Sequence, residues 1–214
     1  NLLISQMKAI LRANTYKNLK FMLPMIASIK EINDTKRILK EAVAELTKEG
    51  RDFNAEVDLG IMIEVPSAAV MADLFAEHVD FISIGTNDLI QYLLAVDRGN
   101  ENVSEQYQEF HPAIIRSLDY IIKGGKKGNA FTSLCGEMAA DPMAVPLLVG
   151  LGLDSISVSP AALPHTKKII RSIKYSEAKE MAEKCLNLET EVKTKKLLKE
   201  FYDEKVQDEI EKIF

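Results

Sequence analysis

A chain of 214 residues, 47% hydrophobic and 28% charged, carries enough apolar material to bury a sizeable core. Its net charge of -5 leaves no basic footprint, which argues against sequence-independent binding to nucleic acid. The longest apolar runs, at 60–63 and 145–151, fall well short of the roughly 20 residues needed to cross a bilayer, so no membrane span is expected.

Residues 2–13 set Leu3, Met7, Ile10 and Leu11 on one helical face. The chain opens inside that pattern, without Met and without the segments of a secretion signal, and is expected to be cut from a longer protein. The run 19–25, halted by Pro24, reads as a buried strand. A long charged helix over 29–49 follows, with Ile29, Ile32, Ile38, Leu39, Ala42 and Leu46 at helical spacing and Gly50 as its C-cap. The alternation then repeats. A strand at 57–64 leads through Pro66 into a helix at 67–76. A strand at 81–85 leads through Thr86, Asn87 and Asp88 into a helix ending near 96. Pro112 opens a helix to about 123, as a first helical turn tolerates proline. A strand at 131–134 precedes Asp141 and Pro142, which cap a helix ending near Gly150 and Gly152. The last strand is expected at 155–158, with helices around 161–172 and 176–187. A final amphipathic helix over 190–214 would carry Leu197, Leu198, Phe201, Val206, Ile210 and Ile213.

Short, doubly apolar strands alternating with helices predict a parallel sheet covered by helices. Five such strands are visible, and a (β/α)8 barrel needs eight. An open doubly wound sheet is the alternative, but no Gly-rich phosphate loop follows a first strand. The fold class expected is therefore α/β, a (β/α)8 barrel with its first strands missing, forming one partial domain over 1–214 that ends in C-terminal helices.

Polar residues gather at the C-terminal ends of these strands, where barrel enzymes place their chemistry. Glu64 ends an apolar run, and a carboxylate there is costly unless compensated. It is either a functional group or half of a salt bridge to a neighbouring Lys or Arg. Gly85 allows close approach of a ligand to the backbone, Asn87 offers donor and acceptor, and Asp88 adds a second carboxylate. Two oxygen ligands on adjacent strand ends are too few to cage calcium but suit magnesium, which keeps waters and substrate oxygens. Equally, Thr86 or Asp88 could simply cap a helix. Arg98 could pair with phosphate or carboxylate oxygens, or be a solvated surface charge. Cys135 could be a proton donor or a small buried hydrophobe. Cys135 and Cys185 are too few for a disulfide framework or a zinc site, and reduced thiols in a cytoplasm are expected. Cys185 reads as core. His78, His111 and His165 lack a second ligand at metal spacing and receive no catalytic role.

Four segments together carry a resemblance. Gly60-Ile61-Met62-Ile63-Glu64-Val65-Pro66, Ser83-Ile84-Gly85-Thr86-Asn87-Asp88-Leu89, Leu94-Ala95-Val96-Asp97-Arg98-Gly99-Asn100 and Cys135-Gly136-Glu137 resemble, in order and spacing, the phosphoenolpyruvate-utilising superfamily. The dikinase and synthase branch usually follows Cys-Gly-Glu with a histidine and two glycines. Here Met138-Ala139-Ala140-Asp141-Pro142 follows, and the stretch 91–98 is similar to the Enzyme I family of the bacterial sugar phosphotransferase system.

That resemblance implies transfer of the phosphoryl group of phosphoenolpyruvate to a histidine of the same enzyme's N-terminal domain, then to HPr, with release of pyruvate. It further implies Mg2+ as cofactor, held by Glu64 and Asp88, with Asn87, Asp88 and Arg98 at the substrate and Cys135 protonating the enolate. A cytoplasmic homodimer is the implied setting. The family also clamps its substrate with arginines from earlier strands, and none of Arg12, Arg37, Arg51, Arg116 or Arg171 matches them. The chain alone is therefore expected to be inactive. A dikinase or synthase barrel and a noncatalytic dimerisation module stand as the alternatives.

Overall fold

The computed structural model describes residues 2–207. Its strands are β1 (Lys20–Leu23), β2 (Asp58–Ile63), β3 (Phe81–Gly85), β4 (Phe131–Cys135) and β5 (Ser155–Ile156). All pair in parallel, in the spatial order β1-β2-β3-β4-β5. Spatial order thus follows chain order without reversal, so every crossover advances the sheet in one direction. A doubly wound sheet instead reverses at a switch point. The strands form an arc of a (β/α) barrel wall, open among the described residues at β1 and β5.

Side chains alternate between the two faces of this arc. Leu59, Ile61, Ile63, Ile82, Ile84 and Leu134 point to one face and join the main core. That core is shared with α3 (Pro66–Val70), α4 (Ala72–Ala76), α5 (Thr86–Leu94), α6 (Pro112–Lys127) and α7 (Ala144–Leu151). Gly60, Met62, Phe81, Ser83, Gly85, Phe131, Ser133 and Cys135 fall on the other, inner face by the same alternation. This face is only partly covered, leaving Phe131 half exposed.

α1 (Leu2–Ala13) packs on α2 (Ile29–Lys48) through Met7, Leu11, Ala42 and Leu46. At the start of α2 the Glu31 carboxylate accepts from the Ser28 and Ala27 N–H groups, a capping interaction. Gly50, just past its end, takes the left-handed φ of 61° that glycine favours. α8 (Leu163–Ser172), α9 (Tyr175–Cys185) and α10 (Glu191–Tyr202) follow β5. Gly150 of α7 abuts the Ala178 carbonyl of α9, so those helices meet backbone to backbone. No helix among the described residues is long and apolar enough to cross a membrane.

Several expected boundaries move, each for a tertiary reason. α6 runs past Gly124 and Gly125 to Lys127 rather than ending near 123. These glycines do not stop the helix but let it approach its neighbours. Gly124 backs on the Ala72–Asp73 backbone and Gly125 on Thr132 of β4. The helix expected at 67–76 is two short ones, broken at Met71. α5 stops at Leu94 because Ala95 turns left-handed, φ 53°. Among the described residues β5 has one neighbour and two paired residues, although Ser157 N–H still donates to the Leu134 carbonyl at 2.8 Å. The final helix covers 191–202, and a wide turn at Asp203–Gln207 buries Val206 against Val145 and Ile169. The rest of the expected 190–214 helix, with Ile210 and Ile213, lies outside the described residues.

Candidate functional site

The register of β2, β3 and β4 builds the site. Ile63 pairs with Ile84 and Gly85 with Cys135, so Glu64, Gly85 and Cys135 form one row at the carboxyl edge of the inner face. The row explains why Gly85 is glycine. A Cβ there would sit 2.8 Å from Met62 Sδ and 3.0 Å from Glu64 Oε2.

Glu64 is 4% exposed, and its Oε1 accepts from the Met25 N–H at 2.6 Å. Met25 holds a left-handed φ of 54°, unusual for a non-glycine residue, at the point where it donates to this buried carboxylate. No Lys or Arg pairs with Glu64 among the described residues, so the salt-bridge reading finds no support. A buried carboxylate with one backbone donor is left seeking a cation.

Asn87 and Asp88 sit in the first turn of α5, directly after β3. Thr86 is not a cap; its Oγ1 donates to the Cys135 carbonyl at 2.8 Å and ties the ends of β3 and β4 together. Asn87 Oδ1 accepts from the Glu137 N–H at 3.0 Å, and its carbonyl accepts from the Tyr107 hydroxyl at 3.3 Å. Gly136, with φ 106°, packs so closely on Thr86 Oγ1 and Asn87 Oδ1 that no side chain would fit. The Asp88 carboxylate makes no hydrogen bond or ion pair among the described residues. The positive end of the α5 dipole favours its charge there.

Cys135 is half-buried. Its sulfur accepts from the Ser83 hydroxyl and donates to the Ile84 carbonyl, both at 3.7 Å. Arg98 lies exposed in the loop between α5 and α6, where its N–H donates to Gln91 Oε1 at 3.2 Å. Its guanidinium field reaches the Tyr107 hydroxyl together with those of Glu109, Glu137 and Asp88. Burial above all, then Glu109, pushes that hydroxyl up to about 12, against the pull of Arg98. The loop carrying Arg98 is therefore tethered to Asn87 through Tyr107. His111 caps α6, its Nδ1 accepting from the Ala113 N–H at 3.1 Å.

Glu64 and Asp88 are hard oxygen donors without a bonded cation, which fits an ion that completes its shell with water and substrate oxygens. No group of three or more His, Cys, Asp or Glu among the described residues is arranged to cage a metal, so a fully protein-ligated site is not built. Sequence reasoning quoted Ser83 and Glu137 within motifs without giving them a role, and passed over Tyr107 and Glu109. Ser83 was legible as the inner-face residue two before Gly85, whereas nothing local in the sequence marks Tyr107.

Burial, and then Asp141 and Glu137, hold the Glu109 carboxyl above the usual glutamate range, partly offset by Lys195. The folded state then keeps this proton to higher pH than the unfolded chain. Its contribution to stability falls as pH rises from about 4.5 through the raised folded value. Glu109→Gln is therefore expected to raise the urea midpoint at neutral pH and to leave it unchanged below the ordinary glutamate range. Equal midpoints of variant and parent at both pH values would contradict this.

A family model described as PEP-utilising enzyme, PEP-binding domain, matches residues 1–175. Proteins named phosphoenolpyruvate-protein phosphotransferase are 44% identical over 196 residues in Staphylococcus carnosus and 45% over 197 in Listeria monocytogenes. The Bacillus subtilis protein of that name is 44% identical over 198 residues. Each alignment covers 92% of this chain but 34–35% of the relative, so the chain spans about a third of the length of these curated relatives. Among solved structures, a citrate lyase from Burkholderia xenovorans LB400 superposes with a TM-score of 0.56 at 14% identity. It covers 97% of this chain and 71% of that one, a likeness of fold.

Proposed function

Because this chain belongs to the phosphoenolpyruvate-utilising enzymes and carries their phosphoenolpyruvate-binding domain, we propose that it supplies the substrate site of a phosphoenolpyruvate-protein phosphotransferase. The single observation that carries this reading is the row Glu64, Gly85 and Cys135 beside Asn87 and Asp88, facing the inside of a parallel barrel wall.

Phosphoryl transfer asks a protein mainly for positioning and for charge stabilisation. The Asn87 amide nitrogen, unbonded among the described residues, and the guanidinium of Arg98 bind substrate oxygens, with the Tyr107 tether holding the Arg98 loop near Asn87. Glu64 and Asp88 would hold a magnesium ion, whose charge offsets that of the phosphate and of the enolate oxygen. The ester P–O bond breaks as a P–N bond forms on a histidine imidazole. The enolate of pyruvate stays behind, and its methylene carbon takes the Cys135 thiol proton. The acceptor histidine lies in the enzyme's N-terminal domain, outside this chain, and passes the phosphoryl group to HPr in sugar uptake. The working form is a cytoplasmic homodimer.

Radiolabelled phosphoenolpyruvate with magnesium tests the assignment. The complete enzyme is expected to carry label on a histidine outside this chain, and the 214-residue chain alone to take up none. Label mapped to His78, His111 or His165 would overturn the reading.

A further inference from the structure

The inner face holds two hydroxyls that the chemistry above leaves unused, those of Ser83 and Ser133. Ser83 is 7% exposed, and the one side-chain hydrogen bond of its hydroxyl among the described residues runs to Cys135 Sγ at 3.7 Å. Its cross-strand neighbour Ser133 behaves differently, donating to the Ile82 carbonyl at 3.3 Å. A buried hydroxyl is costly unless well partnered, and a thiol sulfur is a weak acceptor. A thiolate is a strong one, because a charged acceptor roughly doubles the strength of a hydrogen bond. The placement of Ser83 therefore makes more sense for a sulfur that becomes charged than for one that stays neutral.

We propose that Ser83 is a positioning residue for Cys135, holding the sulfur at the end of β4 and stabilising the charge left on it after proton transfer. The inference rests on the reading of Cys135 as the acid that protonates the enolate. In that step the S–H bond breaks and a C–H bond forms with the electron pair of the enolate double bond. The enolate oxygen becomes the ketone carbonyl of pyruvate, and sulfur keeps the S–H pair as a thiolate, which water then reprotonates. The new charge appears in an unfavourable place, since the Glu64 carboxylate abuts Gly85, the residue paired with Cys135. Among the described residues no Lys or Arg bonds to either group. The Ser83 hydroxyl is the side-chain donor that meets the sulfur.

Alkylation of Cys135 by iodoacetamide at one fixed pH, followed by peptide mass, reads the thiolate in the 214-residue chain itself. Ser83→Ala is expected to slow it about tenfold, the range of a hydrogen bond to a charged group. Ser83→Thr keeps the hydroxyl and restores the rate, while Ser133→Ala leaves it unchanged. Equal rates in Ser83→Ala and the parent would overturn the proposal. In the complete enzyme, Ser83→Ala should lower kcat for exchange of pyruvate methyl protons with KM unchanged. Absence of that exchange from the unsubstituted enzyme would overturn the acid role of Cys135 on which this proposal rests. A persisting alkylation difference would then identify the acid role as the part that failed.

Discussion

Cys135→Ala in the complete enzyme is expected to slow exchange of pyruvate methyl protons with deuterium oxide at least about hundredfold, the usual contribution of a positioned general acid. Phosphoenolpyruvate binding should survive, because the residues proposed to touch substrate oxygens, Asn87 and Arg98, are held by other contacts. The fold should survive as well. Thr86 Oγ1 bonds the backbone carbonyl of position 135, and the pairing with Gly85 is likewise a backbone feature. Cys185→Ala serves as the control. That thiol is buried in α9 beside Met181, and burial pushes it up to about 12, far from any role at neutral pH. Proton NMR of pyruvate reads the outcome, and exchange retained by Cys135→Ala would remove the thiol from the mechanism.

Glu64→Gln separates function from stability in opposite directions. The amide oxygen can still accept from Met25 N–H, and the side chain keeps its size beside Gly85. The charge that would hold magnesium is gone, so magnesium-dependent affinity for phosphoenolpyruvate should fall about hundredfold, as losses of charge-stabilising groups commonly do. In metal-free solution the same change should raise the thermal midpoint. It removes a buried carboxylate that has one backbone donor and no paired cation among the described residues. Calorimetry of binding with and without magnesium, together with thermal unfolding, checks both signs. A variant that binds as well as its parent with magnesium present would exclude Glu64 from the metal.

Legibility differed by residue for identifiable reasons. Glu64, Asn87, Asp88 and Cys135 stood out because each lies at, or within three residues of, the end of an apolar strand, a position where a polar side chain is hard to explain by packing alone. Arg98 stood out only through its motif. The structure leaves it exposed, linked to the cluster through its field on Tyr107 rather than through a bond of its guanidinium. Gly124 and Gly125 misled the placement of the end of α6. Local propensity reads paired glycines as a helix stop, whereas here they allow backbone contact with α4 and β4. Ser83, quoted only within a motif, and Tyr107 received no role because their partners, Cys135 and Asn87, are 52 and 20 residues away.

The amino-acid order alone determined that short apolar strands alternate with helices, and where polar residues follow those strands. Both are local properties, set by the twofold and 3.6-fold periods of backbone geometry. Whether the polar residues meet was decided by the tertiary structure. A shift of one residue between neighbouring strands would turn Glu64 or Cys135 to the helix-packed face, and that choice depends on contacts distant in the chain. The pairing of Gly60 with Phe81 and of Gly85 with Cys135 selects the register that brings them into one row.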